Sequence, residues 1–292
     1  MILYKYTKFQ NFLSIAERGT LAFPLVSQLN DPCESSIESA LSRLRTLEHL
    51  PPLAYKPVVE YRVGQFKDVG INPLYDESLS KIEENKRRAG QNEGLKRLER
   101  LLEHFRDKVG VLSLTADPAN AVMWAHYADQ SRGVCMGIEF DHPVFESYHP
   151  SDPFYEEFAT VFRLGQVAYR KIRPALQTDV DASTYIRDAF FSKFEDWAYE
   201  REWRLLRPHR DCLTVPGVPV ALYQIPVGCI AHVVMGLDMS EDDVRKVLEV
   251  SHKMTFDVSK IESPAAEYSL KLTKLRKDGW SLSGKPPNFR LL

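Results

Sequence analysis

The segment that ends at Arg204 carries the densest set of side chains that could do chemistry. Glu200, Glu202 and Arg204 occupy alternate positions in it. Side chains alternate between the faces of a strand, so an extended segment here would present all three on one face, with the two carboxyl groups about 7 Å apart. One carboxylate could then stabilise an oxocarbenium ion while the other orients a nucleophile. Alternatively, the three residues form a solvent-facing ladder of salt bridges in which Arg204 neutralises Glu202.

A short predicted helix ending at Ala128 supplies a second group of candidates, Trp124, His126 and Tyr127. At helical spacing Trp124 and Tyr127 share one face. Aromatic rings beside a histidine would suit a planar base or a nicotinamide ring, because stacking buries a large area at low entropic cost. The same pattern is also typical of a buried aromatic stripe with a histidine that is satisfied by a core hydrogen bond.

Other polar residues could contribute to the same site. Ser113 and Thr115 share one face of a predicted strand, where they could bind a substrate or only the neighbouring strand. Lys5 stands between two tyrosines and could meet a phosphate, or the tyrosines could simply pack the sheet. Asn and Asp also favour turns, because their side chains bond the backbone. The remaining candidate binding residues are Tyr4, Tyr6, Asn30, Asp31 and Tyr199.

Composition restricts the classes of function. The four cysteines are far apart and form no C-x-x-C pair, so neither a metal finger nor a disulfide framework is expected. No metal is expected, and the alternative is a magnesium ion held by Glu195 and Asp196 with Glu200 and Glu202. The formal net charge of −2 argues against a protein that wraps nucleic acid through bulk positive charge, but not against a local basic groove. No apolar run approaches a membrane span and the first residues do not resemble a signal peptide, so we expect a cytoplasmic protein with no membrane partner.

The elements that must position these residues indicate an α+β fold. Strands at both ends of the chain with helices between them predict one domain over 1–292, built on a single mixed, mostly antiparallel sheet. Residues 35–108 are predicted to be a mostly helical insertion, which is either a lid or partner surface or an ordinary helical cover. The chain has no G-x-G-x-x-G after a strand and no Walker motif. The predicted strands span 2–7, 20–23, 109–115, 134–140, 166–169, 200–206, 223–227, 230–235, 255–258 and 269–275, and the predicted helices 11–18, 117–128, 181–198 and one beginning after 240.

Four strings together resemble the ordered signature of a widespread bacterial family of unknown function. The resemblance covers residues 3 to about 237. The family's loop usually has Phe on both sides of Asn-Asp-Pro, whereas this chain has Leu29 and Cys33. The strings are Leu3-Tyr4-Lys5-Tyr6, Asn30-Asp31-Pro32, Met123-Trp124-Ala125-His126-Tyr127-Ala128 with Gly133-Val134-Cys135-Met136-Gly137, and Trp197-x-Tyr199-Glu200-x-Glu202-Trp203-Arg204.

A second resemblance suggests an activity. The opening strand with aromatic and basic residues, a helix ending in glycine and a short strand are similar to the start of ADP-ribosyltransferase domains, notably those that modify nucleic acid. Such enzymes also use a Ser/Thr strand and a late Glu-x-Glu strand whose final Glu is catalytic. Lys5, Ser113 with Thr115, and Glu200-x-Glu202 occur in that order. Lys5 stands where those domains usually have His or Arg.

This resemblance implies that NAD is a substrate and binds across a split in the sheet. Glu202 would stabilise the oxocarbenium ion that forms as nicotinamide leaves, and Glu200 would activate the acceptor. The aromatic residues of the Trp124 helix would line the nicotinamide side, and His126 and Arg204 would hold a phosphate or orient Glu202. These roles come from analogy between folds.

Two other functions compete with this hypothesis. One is a metal-dependent nuclease or hydrolase that uses His126, the carboxylates and Mg²⁺. The other is a non-catalytic sensor or interaction module. The enzyme hypothesis implies NAD and a macromolecular acceptor, either nucleic acid or protein, as partners. Its setting would be a toxin or phage-defence effector, for which an antitoxin or regulatory protein would be a further partner.

Overall fold

The computed structural model describes residues 1–29, 96–146, 148–174, 181–215, 218, 220–266 and 268–275. Asn30, Asp31 and residues 35–95 of the predicted insertion lie outside the described residues. The described remainder of the insertion, 96–108, is helical as predicted. Its buried residues Leu101, Leu102 and Phe105 follow helical spacing.

Twelve strands and six α-helices are described. The strands are β1 Ile2–Thr7, β2 Thr20–Phe23, β3 Val109–Thr115, β4 Val134–Glu139, β5 Gly165–Gln166, β6 Ala168–Arg170, β7 Ser192–Phe194, β8 Glu202–Pro208, β9 Ala221–Gln224, β10 Ile230–Met235, β11 Asp257–Glu262 and β12 Lys271–Lys274. The helices are α1 Phe9–Arg18, α2 over 96–108, α3 Ala121–Tyr127, α4 Pro143–Glu146, α5 Ala182–Phe190 and α6 Glu241–Met254.

Eight strands form one sheet in the order β12-β11-β10-β4-β1-β3-β8-β5. Within this sheet β10 and β11 are parallel, and every other neighbouring pair is antiparallel. Two further pairs stand outside it, β2 with β9 and β6 with β7. The predicted α+β class with a mixed, mostly antiparallel sheet is therefore confirmed.

The large sheet is open between β1 and β3. β1 pairs with β4 along its whole length, and β3 pairs with β8 along its whole length. Between β1 and β3, however, the register holds one residue pair, Tyr4 with Thr115. At the other end of β3, Gly110 forms a bridge with Leu25 instead. The middle of β3 thus faces a split in the sheet.

The two faces of the sheet have different cores. On one face Leu112, Leu114 and Leu205 join the main hydrophobic cluster, which also includes Phe12 of α1 and Val247 of α6. On the opposite face β3 and β8 present polar side chains, as strand alternation requires. That polar face is flanked by two smaller clusters, one around α2 and α5 and one around α3.

Several predicted element boundaries are wrong. The predicted helix 181–198 ends at Phe190 and is followed by β7 and by a 3₁₀ helix, Glu195–Glu200. Residues 142–160, to which no helix or strand is assigned from the sequence, contain the 3₁₀ helix Pro153–Phe158, because its aromatic residues are buried in the α2 cluster. Helix α3 begins at Ala121 under the side-chain cap of Asn120, not at the Asp-Pro pair before it.

Candidate active site

Glu200 and Glu202 lie on different elements. Glu202 is the first residue of β8, but Glu200 is the last residue of the preceding 3₁₀ helix, so the prediction that both lie on one strand is wrong. Arg201 between them has φ 45° and ψ 47°, in the left-handed region, and this conformation ends the 3₁₀ helix. The two carboxylates nevertheless converge, because both reach the ammonium of Lys193. Lys193 Nζ lies 2.7 Å from Glu200 Oε2 and 3.3 Å from Glu202 Oε2.

Arg204 fixes the orientation of Glu202. The two side chains share one face of β8, as predicted, and Arg204 donates from Nε to Oε1 at 2.8 Å and from Nη2 to Oε2 at 2.9 Å. This two-pronged contact is the pairing of a guanidinium with an ionised carboxylate. Arg204 also donates to the carbonyl of Phe190. Since Glu202 and Arg204 are 3% and 2% exposed, the solvent-facing ladder considered from the sequence is not what forms.

Hydroxyl groups complete the surroundings of both carboxylates. Tyr127 of α3 donates to Glu200 Oε1 at 2.8 Å, and Thr115 of β3 donates to the Glu200 carbonyl at 2.6 Å. Ser113 of β3 forms a side-chain hydrogen bond with Glu202. The predicted polar face of β3 therefore contacts both acidic residues.

Burial and charge oppose each other in this cluster. Burial raises the pKa of the Glu202 carboxyl, whereas Lys193 and the hydrogen bond from Ser113 act to lower it. For Lys193, burial by itself would lower the pKa, but the attraction of Glu202 and Glu200 outweighs it and raises the pKa above its usual value. The ammonium of Lys193 is therefore retained. Together with Arg204 it balances the two acids.

A cavity of about 220 Å³ lies in front of this cluster, at the split between β1 and β3. Both carboxylates and Lys193 form part of its wall. On the opposite side Lys5 extends from β1 across the split, where its Nζ lies 3.4 Å from the carbonyl oxygen of Ser113. The described residues that line it are Tyr4, Lys5, Tyr6, Pro24, Gln28, Leu29, Val111, Ser113, Leu114, Thr115, Met123, Tyr127, Lys193, Glu200 and Glu202.

Lys5 carries the second cation at this cavity. Burial lowers the pKa of its ammonium to about 8, although the nearby Glu202 carboxylate acts in the opposite direction. Lys5 is thus mostly protonated at pH 7, and it loses its charge within the ordinary range of biochemical buffers. The prediction that this lysine could meet an anion remains a prediction.

Two residues of α3 take positions other than the expected ones. Trp124 is fully buried, its indole N–H donates to the carbonyl of Pro118, and its ring packs edge-on against Tyr6. It is therefore part of the core and not of the cavity wall. His126 is exposed on the outer face of α3 and does not line the cavity. The helix contributes Met123 and Tyr127 to the cavity instead.

Tyr199 and Arg204 are also absent from the lining. The carbonyl of Tyr199 accepts a hydrogen bond from the cap residue Asn120, and its ring lies 6.0 Å from that of Trp197. Arg204 lies behind Glu202 and acts on the cavity only through it.

Sequence reasoning missed two residues of the cluster. Lys193 falls within the predicted helix 181–198. A lone lysine between Phe191 and Phe194 nevertheless indicates a charged group in apolar surroundings, where it needs a partner of opposite charge. Tyr169 was assigned only to a strand. Its hydroxyl accepts a hydrogen bond from the amide of Glu202 at 2.8 Å and so fixes the start of β8.

Replacing Lys193 by Met is expected to make the protein more stable at acid pH than at neutral pH. The substitution removes a charge that lowers the pKa of Glu202, so this pKa rises further above its value in the unfolded chain. At a pH between the pKa of Glu202 in the unfolded chain and its pKa in the folded protein, the folded protein binds more protons than the unfolded chain. The free energy of unfolding therefore falls as the pH rises from the pKa of Glu202 in the unfolded chain towards its raised pKa in the folded protein, by about 1.4 kcal/mol for each unit by which the pKa is raised.

Urea unfolding at both pH values measures this effect. The matched control is Lys246→Met, which removes an exposed lysine of α6. The control should keep the pH dependence of the wild type. If the Lys193 variant also keeps it, Lys193 does not set the protonation of the acids.

Among the described residues no group of three or more His, Cys, Asp or Glu side chains could hold a metal ion. Lys193 and Arg204 already supply two positive charges to Glu200 and Glu202, which leaves these acids poorly suited to a divalent cation. No helix in the described ranges has the length and apolar character that crossing a membrane requires.

Comparison with known proteins identifies a family without assigning an activity. No curated protein matches the chain, and no solved structure matches it. A family model described as "Protein of unknown function (DUF2971)" matches residues 123–205. This span includes Tyr127, Tyr169, Lys193 and both acids, whereas β1 and β3 lie outside it. Over residues 123–205 the match confirms the predicted resemblance to a family of unknown function, and the strings Leu3-Tyr4-Lys5-Tyr6 and Asn30-Asp31-Pro32 lie outside the matched residues.

Proposed function

We propose that this protein is an ADP-ribosyltransferase-like enzyme that cleaves NAD between nicotinamide and ribose. One observation carries the proposal: Glu202, held by Arg204 and Lys193, faces a cavity at the split of the sheet. The strands that bear Lys5, Ser113 and Glu202 are direct neighbours in the order β1-β3-β8. The resemblance to ADP-ribosyltransferase domains requires that these three residues lie on neighbouring strands.

The reaction suits a fixed carboxylate. When the bond between nicotinamide and C1′ of the ribose breaks, nicotinamide leaves as a neutral base with the bonding electron pair. The positive charge passes to the ribose as an oxocarbenium ion, and Glu202 stabilises this charge. A preorganised charge in a site that excludes water is more effective than the same group in water. An acceptor hydroxyl or amine then bonds to C1′ and gives its proton to Glu200.

Glu202 can bind a ribose hydroxyl only by exchanging one of its present partners. A carboxylate has about four lone-pair sites. Arg204 uses two of them, and Lys193 and Ser113 use the others. The contact with Lys193, at 3.3 Å, is the longest of those measured and is the one that a ribose hydroxyl would replace. Lys193 would keep its 2.7 Å contact with Glu200.

The remaining wall of the cavity suits the nicotinamide half of NAD. Tyr4, Tyr6 and Tyr127 supply aromatic surface near the acids, and Lys5 supplies a cation for a phosphate. The volume of about 220 Å³ is below the roughly 300–1,000 Å³ of pockets that enclose a whole small ligand. In this proposal the cavity therefore holds the nicotinamide riboside, and the pyrophosphate and adenosine lie outside it.

The test is the release of nicotinamide from NAD by the full chain, followed by liquid chromatography. Wild-type protein is expected to release nicotinamide by hydrolysis, and faster when an acceptor is supplied. The control Glu139→Gln, which neutralises an exposed acid at the end of β4, should release it at the wild-type rate. If the wild-type protein releases none with water, nucleic acid or protein as acceptors, the proposal is wrong.

A further inference from the structure

A second cavity, of about 260 Å³, lies on the other side of Lys193. Lys193 lines both cavities, so the second cavity adjoins the candidate active site. Most of its lining is basic or apolar, and the proposed reaction gives these residues no role. The lining comprises Arg170, Lys171, Ile172, Arg173, Pro174, Ser192, Lys193 and Phe194.

A buried hydroxyl in this cavity has no partner. Ser192 is 3% exposed, and its Oγ forms no hydrogen bond with any other residue that the structure describes. Buried polar side chains nearly always have a hydrogen-bond partner, because an unpaired one costs free energy. A hydroxyl can donate one hydrogen bond and accept others. The unpaired Oγ of a residue that lines the cavity is therefore a hydrogen-bonding group that a polar atom of a ligand could satisfy.

The charge of the lining indicates that this atom is anionic. Arg170 and Lys171 approach Asp188 and Glu195 at 3.9 and 3.4 Å, respectively. These four side chains are 41% to 75% exposed, and ion pairs of this kind contribute little. An anion in the cavity could therefore replace the carboxylate partner of Arg170 or Lys171 at a low cost in free energy. A phosphate group accepts hydrogen bonds from a hydroxyl and from several cations at once.

Aromatic rings connect this cavity with Glu200. Phe194 lines the cavity and is 42% exposed. The rings of Trp197 and Tyr199 follow along the 3₁₀ helix that ends at Glu200, and Lys193 Nζ lies 4.8 Å from the Trp197 ring. Cations beside partly exposed aromatic rings are the features with which proteins bind single-stranded nucleic acid, because phosphates meet the cations and bases stack on the rings.

We propose that the second cavity binds a backbone phosphate of a single-stranded nucleic acid, which is the acceptor of the reaction. This assignment of the acceptor rests on the proposed function. The strand would run from Ser192 along Phe194 and Trp197 towards Glu200, so that a hydroxyl or amine of one nucleotide reaches the first cavity.

The test is binding of fluorescein-labelled oligo(dT) and oligo(U) to the full chain, measured by fluorescence anisotropy without NAD. Replacing Ser192 by Ala should weaken binding about tenfold, on the scale of a lost hydrogen bond to a charged group. The melting temperature should not fall, because Ser192 Oγ has no hydrogen-bond partner in the described ranges of the chain. A purely structural role for Ser192 would instead lower the melting temperature and leave the affinity unchanged.

The cations provide a second variant with a matched control. Replacing Arg170 and Lys171 by Ala should weaken binding and should reduce the slope of log K against log salt by about 0.7 for each lost phosphate contact. The control replaces Lys246 and Lys253, exposed residues of α6, and removes the same charge far along the sheet. It should bind like the wild type.

Several outcomes would overturn the proposal. One is that the oligonucleotides show no salt-dependent binding. Another is that the α6 control loses as much affinity as the variant of Arg170 and Lys171. A third is that polyglutamate competes as well as an oligonucleotide does, which would indicate a protein acceptor. If inorganic phosphate, at the same concentration as the oligonucleotide, displaced it, the cavity would be a site for free phosphate. Competition by NAD would assign the cavity to the NAD pyrophosphate. Because the assay contains no NAD, its result is independent of whether NAD is cleaved.

Discussion

Replacing Glu202 by Gln is expected to slow nicotinamide release about a thousandfold, at the upper end of what the loss of one preorganised transition-state contact causes. The amide keeps the shape of the carboxylate but removes the charge that faces the oxocarbenium ion. NAD itself should bind with similar affinity, because the positive charge reaches the ribose only as the bond breaks. The loss should therefore appear in kcat and much less in KM.

Loss of the fold must be separated from loss of activity in this variant. Glu202→Gln leaves Arg204 and Lys193 with one buried acid between them, Glu200. Glu202→Asp keeps the charge but withdraws it by one methylene group, so it should stay folded and still lose most of its activity. Circular dichroism and urea unfolding report the fold of both variants. A folded Glu202→Gln protein with wild-type nicotinamide release would rule out the proposed role.

Replacing Arg204 by Ala is expected to destabilise the protein by about 3–5 kcal/mol, because it leaves a buried carboxylate without its closest counter-charge. Arg204 is 2% exposed and meets both oxygens of Glu202. The matched control is Arg132→Ala, which removes an ion pair with Asp129 whose side chains are 55% and 44% exposed. That change should cost about 0–1 kcal/mol. Urea unfolding measures both.

A double-mutant cycle shows whether the pair acts as a unit. If Arg204 and Glu202 neutralise each other, the variant that combines Arg204→Met with Glu202→Gln should be more stable than the sum of the two single changes implies. Simple additivity would contradict the interpretation. Since this cycle needs no substrate, it tests the site independently of NAD.

The sequence predicts those parts of the site that follow from strand periodicity. Glu202 and Arg204 share one face of β8, and Ser113 and Thr115 share one face of β3, because alternation in a strand is a local property. The resemblance to a family of unknown function is confirmed by the matched residues. NAD, the acceptor and the catalytic roles stay predictions.

The parts that the sequence does not predict depend on tertiary contacts. No residue type indicates that Arg201 adopts a left-handed conformation, so the position of Glu200 could not be foreseen. Lys193 reaches the acids only because β7 pairs with β6 and not with the large sheet. On α3, helical spacing groups Trp124 with Tyr127, but packing decides that Tyr127 faces the cavity and Trp124 the core.

The sparse pairing of β1 with β3 has a mechanical consequence. Strands β12 to β1 form one continuous hydrogen-bonded block and strands β3 to β5 another, and a single residue pair joins them within the sheet. A small rotation about the Tyr4–Thr115 junction would change the width of the gap without breaking either ladder. Lys5 and Glu202 stand on opposite blocks, so the same rotation would alter the separation between the two charges.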